Sequence, residues 1–197
     1  MIPPRLPPGP EFWRDVDFPL VDDEPEGLRT FVQRLRAEYQ NGSVIHRTFV
    51  FPEQAEMRRQ AELAFARDFA FFRHFWHCPS VRAALPYELD DTEFDESSPC
   101  AGRPFESTPS VQLPGQLATA LWAGGAYSRD RPTARDAMAA GMAAAEALTQ
   151  GDFDDTRVLN SSKPWSRFFH DVAWDHTWIL VEPERGRIVV LMATDTD

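Results

Sequence analysis

The chain has 197 residues, and 31 acidic against 20 basic side chains leave a formal net charge of -11. That length suggests one domain, at most with an appendage, and the acidic balance argues against a nucleic-acid-binding surface, which needs a basic patch. No run approaches the roughly 18 apolar residues of a membrane-spanning helix, and two cysteines, Cys78 and Cys100, are too few for a disulfide scaffold.

Residues 1–10 (MIPPRLPPGP) carry five prolines and no apolar signal-peptide core. They are expected to run extended, as a free tail or as an arm along the surface, and the default location is cytoplasmic. Residues 1–25 as a whole read as a Pro-rich, acidic arm ahead of a single globular domain over 26–197. Within the arm, Trp13 and Phe18 offer aromatic anchors while the acids stay wet.

Leu28, Phe31, Val32, Leu35 and Tyr39 repeat at helical spacing, which predicts a helix over about 26–40 stopped by Asn41-Gly42. SVIHRTFVF at 43–51 reads as a strand from its β-branched and aromatic content. Pro52 then opens a helical pattern to about Cys78, halted by Pro79, with a short helical turn at 81–85. Residues 86–115 show no period and read as a long acidic loop. Short helices are expected at 117–122 and 164–170, and a longer Ala- and Met-rich helix from Pro132 to Gln150.

The strongest β signal is C-terminal. VAWDHTWILV at 172–181 and RIVVLMAT at 187–194 flank a Pro183-Glu184-Arg185-Gly186 turn. The continuous apolar run Ile188–Ala193 predicts a strand covered on both faces. Together these elements predict an α+β fold: several helices on a small, mostly antiparallel sheet, with strand 43–51 beside the C-terminal hairpin.

Pairing Glu182 with Arg187 places His176 opposite Ala193 and Trp174 opposite Asp195, so Trp174, His176, Trp178, Asp195 and Asp197 share a face. A histidine flanked by carboxylates is the arrangement of a general base or a metal ligand. His170, Asp171, Asp175 and His176 crowd the same stretch, but neighbours along a strand point to opposite faces. His74, His77 and Cys78 fall at i, i+3 and i+4, with zinc-type donors but no recognised zinc spacing. Cys100 is the one plausible loop nucleophile, and needs a base beside it. No phosphate-loop, dinucleotide, serine-hydrolase or zinc-protease motif occurs, and no cofactor is expected.

The charge is localised. Residues 11–27 and 86–100 each carry a net of -6, and the remainder sums to +1. Within the second stretch, Glu88, Asp90, Asp91, Glu93, Asp95 and Glu96 surround Leu89 and Phe94, the make-up of a contact surface for a basic partner. The expected function is a non-enzymatic binding protein of inhibitor or immunity character that caps a basic protein through acidic loops. Two alternatives stand beside it. One is a small hydrolase or metal-dependent enzyme using His176 with Asp175, Asp195, His170 or Cys100. The other is a structural subunit of a larger complex.

Overall fold

Alternation along the strands decides the architecture. A computed structural model describes residues 10–63, 70–85, 105–128 and 130–197. Among these residues lie seven α-helices and six strands, in an α+β fold. The helices are α1 (Pro10–Arg14), α2 (Glu26–Glu38), α3 (Ala55–Leu63), α4 (Ala70–His77), α5 (Pro79–Ala84), α6 (Leu113–Ala123) and α7 (Ala134–Thr149). The strands are β1 (Leu20–Val21), β2 (Ser43–Val50), β3 (Glu106–Thr108), β4 (Arg157–Ser161), β5 (His176–Glu182) and β6 (Arg187–Thr194). They form one antiparallel sheet in the order β1-β2-β6-β5-β4-β3.

The hairpin register is the one expected: Glu182 pairs with Arg187 and His176 with Ala193. β2 lies against β6, again as expected. Every residue of β6 is buried. Ile188, Val190 and Met192 face a core built with Trp13, Phe18, Met57, Phe71, Phe75 and Trp76, from α1, α3, α4 and the arm. Val189, Leu191 and Ala193 face the other core, with Leu28, Phe31, Leu35, Leu117 and Leu148 from α2, α6 and α7. The two-residue period of a strand thus feeds two helical layers, one on each side of the sheet.

The helix termini follow from local chemistry. Thr133 accepts the backbone N–H of Asp136 at 3.1 Å and caps α7 at its start. Gln150 closes α7 in the left-handed region, at φ 50°. α6 and α7 pack closely because residue 141 is glycine: a side chain there would meet the carbonyl of Pro114 and the backbone of Ala118.

Four expectations change. The pattern read as one helix from Pro52 to Cys78 contains α3 and α4, on either side of residues 64–69, which lie outside the described residues. The loop expected over 86–115 holds β3, a 3-10 turn (Ser110–Gln112) and the start of α6 in its last part; residues 86–104 lie outside the described residues. Pro164–His170 forms turns rather than a helix. Trp165, Phe168 and Phe169 imitate helical spacing, yet all three are buried from a turn. The strand expected from Val172 starts at His176, because the Asp175 carboxylate closes a turn over 172–175 by accepting the Val172 N–H at 3.1 Å.

Candidate functional site

Asp175 and Asp195 are both fully buried, and both spend their oxygens on the fold. Asp175 accepts the Thr194 hydroxyl at 2.6 Å, the Val172 N–H at 3.1 Å and the His170 N–H at 3.5 Å. Asp195 accepts the Asn41 N–H at 3.0 Å through one oxygen and the Ala126 N–H at 2.8 Å through the other. It ties the α2–β2 turn to the α6–α7 loop. Gly125 and Gly42 make room for this clasp: a Cβ on Gly125 would strike the Asp195 carboxylate, and one on Gly42 would strike the Thr194 carbonyl.

The zinc-type group does not converge. The His74 ring stacks on Trp13, with centroids 4.2 Å apart. His77 is exposed. The free, buried Cys78 thiol donates to Asp17 at 3.1 Å. No cluster of three or more metal-ligating side chains occurs among the described residues. Cys100 and the acidic residues Glu88–Glu96, with Phe94, lie outside the described residues. His170 is exposed, and its backbone rather than its ring meets Asp175.

His176 is the exception, since it lines an open cleft of about 790 Å³. The cleft lies between the first turns of α6, the middle of α7 and the β4–β5 end of the sheet. His176 and Trp178 stack on its floor, with centroids 5.4 Å apart and rings inclined by 22°. The Trp178 indole N–H donates to the Gln116 side-chain carbonyl at 3.2 Å, and the Thr108 hydroxyl donates to the Asn160 side-chain carbonyl at 2.8 Å. Met138 and Met142 stand exposed at its edge. Among the described residues, the lining includes no Asp, Glu, Lys or Arg.

No protein-family model, curated protein or solved structure matches the chain.

Burial pulls His176 down from 6.5 to about 4, with the neighbouring Asp175 charge offsetting only part of the effect. His46 falls to about 4 as well, chiefly through burial and then through the Arg187 and Arg47 charges. His46 carried no sequence signal beyond its place in an apolar strand. Its ring sits 3.3 Å from the Thr48 hydroxyl. A histidine held neutral in the fold makes the unfolded chain the better proton binder below the ordinary histidine pKa. Stability is then full above about pH 6.5 and falls as the pH drops toward 4. The expected loss is on the order of 3 kcal/mol for His46, and less for His176 beside its open cleft. Urea unfolding of the protein and of His46→Gln at pH 7 and pH 4.5 measures this. The variant should lose less stability between the two pH values, and an equal loss in both would remove His46 from the account.

The other candidate surface is the described half of the acid. Trp13 and Phe18 are buried, as anchors should be. Between and beyond them Asp15, Asp17, Asp22 and Glu26 are exposed. Hydrogen bonds from Ser80 and Cys78 hold the Asp17 carboxyl below its usual range, so it stays charged. β1 sits at one edge of the sheet, and its two side chains, Leu20 and Val21, are 49% and 36% exposed. No helix among the described residues is long and apolar enough to cross a membrane.

Proposed function

We propose that this chain is a non-enzymatic binding protein whose contact surface is acidic and whose partner is a basic protein. The observation that carries the reading is the exposed Leu20–Val21 edge strand set among Asp15, Asp17, Asp22 and Glu26. An edge strand offers unpaired backbone groups to an incoming segment. Apolar side chains supply contact area, and surrounding acids select for and steer a cationic partner. The second acidic stretch, Glu88, Asp90, Asp91, Glu93, Phe94, Asp95 and Glu96, extends the same chemistry in sequence. The burial of Asp175 and Asp195 in backbone hydrogen bonds supports this reading over a His-carboxylate enzyme, because both carboxylates already have structural work.

The test is affinity capture from the native lysate, followed by titration of the purified partner. A basic partner should bind at low salt and release as salt rises. Affinity should fall about tenfold in a variant carrying Asp15→Asn, Asp22→Asn and Glu26→Gln, and again when the acids of 88–96 are neutralised. Folding should be almost unchanged in both variants. Salt-insensitive capture, an acidic partner, or unaltered binding by both neutralised variants would overturn the proposal.

A further inference from the structure

The cleft beside His176 has a chemistry unlike the acidic edge, and it lies on the opposite helical layer from the core that holds Trp13 and Phe18. Its volume, about 790 Å³, falls among those of small-molecule sites, roughly 300–1,000 Å³. Its floor and edge combine the His176 ring, backed by the buried Trp178, with two thioethers, a pairing suited to a planar ligand, since methionine sulfur packs well against ring faces and edges. His176 and Trp178 already stack on one another.

The polar groups narrow the ligand further. An indole N–H can only donate, so the Gln116 carbonyl must face Trp178, and what remains for the cleft is the Gln116 amide NH₂. The Thr108 hydroxyl likewise occupies the Asn160 carbonyl, which leaves the Asn160 NH₂. Two amides from different elements thus have both donors to spare, with each carbonyl already accepting one hydrogen bond. Charge is disfavoured on both sides: no ionic side chain lines the cleft among the described residues, and an ion entering it would lose water without gaining a counter-charge. We propose that this cleft binds an uncharged planar small molecule bearing carbonyl or ring-nitrogen acceptors, laid against the half-buried His176 ring and Met138 and Met142.

The experiment uses the full chain labelled at its methionine methyls, five in all. Caffeine and benzamide are neutral planar probes with acceptors, and benzoate and benzylamine are charged rings of similar size. Caffeine and benzamide should shift the Met138 and Met142 methyl signals in a saturable way, and the two charged rings should bind about tenfold more weakly or not at all. Gly115→Phe fills the cleft, because the space around a Cβ there is open, and should abolish the shifts. Met142→Lys, at a position 58% exposed, should abolish the shift of the remaining Met138 methyl by placing a charge at the edge, and it carries the test if the first variant fails to fold. Gln116→Leu should weaken caffeine more than toluene. Absent shifts with both neutral rings, benzoate binding as tightly as benzamide, or a Met138 shift that persists in Met142→Lys would overturn the proposal. So would a capped tripeptide that moves these methyls where the rings do not.

Discussion

Glu182→Ala should destabilise the protein by about 3–5 kcal/mol, the cost of leaving a buried charge without its partner. Glu182 and Arg187 are 1% and 5% exposed. They pair across the hairpin, with the guanidinium donating to the carboxylate at 3.0 Å and to the Leu148 carbonyl at 3.1 Å. Arg187 thereby caps the last turn of α7, where a cation is favoured by the carbonyls that the helix leaves open. Without Glu182, its remaining ionic contact among the described residues is Asp23, 3.5 Å away on the other amino group. The loss is a large fraction of an ordinary domain's stability, about 5–15 kcal/mol, and at this chain length should lower Tm by roughly 10 °C. Glu182→Gln keeps an acceptor for Arg187 and should cost less. Denaturant unfolding of both variants checks the order, and a change under about 1 kcal/mol for Glu182→Ala would show that water reaches and rescues the arginine.

Asp175→Ala should cost about 3–4 kcal/mol, since it strands a buried Thr194 hydroxyl and two turn amides at about 1–3 kcal/mol for each group left unsatisfied. The same measurement separates the two roles this residue offers. A proton-transfer carboxylate tolerates Asp175→Asn in stability and loses chemistry. A turn-closing carboxylate loses stability in that variant too, because the amide replaces one acceptor with a donor. The geometry predicts a cost of about half the alanine value for Asp175→Asn. Thermal unfolding equal to that of the unmodified chain would return Asp175 to the list of candidate acids and bases.

This residue also marks where the sequence becomes hard to read. VAWDH runs into the β-rich TWILV with no Gly or Pro between them, and nothing local distinguishes Asp175 from a strand residue. The deciding partner, Thr194, is on the next strand, 19 residues on. The same limit applies to Asp195, whose partners at Asn41 and Ala126 lie 154 and 69 positions away. Elements whose signal is local were readable: the apolar stripe of α2, the Ala-rich run of α7, and the tight Pro-Glu-Arg-Gly turn that sets the hairpin register. β3 and β4 are three and five residues long, too short to show a period. The cleft has no local sequence signal, because it is assembled from α6, α7, β4 and β5 and because Gln116 and Asn160 are ordinary amides until their partners are known.

The strand order carries a consequence for how the molecule is made. β1 and β2 form one part of the sheet and β5, β4 and β3 another, and β6 is the strand that joins them. On a growing polypeptide the joining strand, residues 187–194, emerges after the five strands it holds together. Until it arrives, β2 waits with an open edge carrying Val44, Ile45 and Phe49, all buried in the finished fold. Such an edge invites pairing with neighbouring chains. Assembly is therefore expected to be late and non-local, with the nascent chain most exposed to aggregation just before β6 inserts.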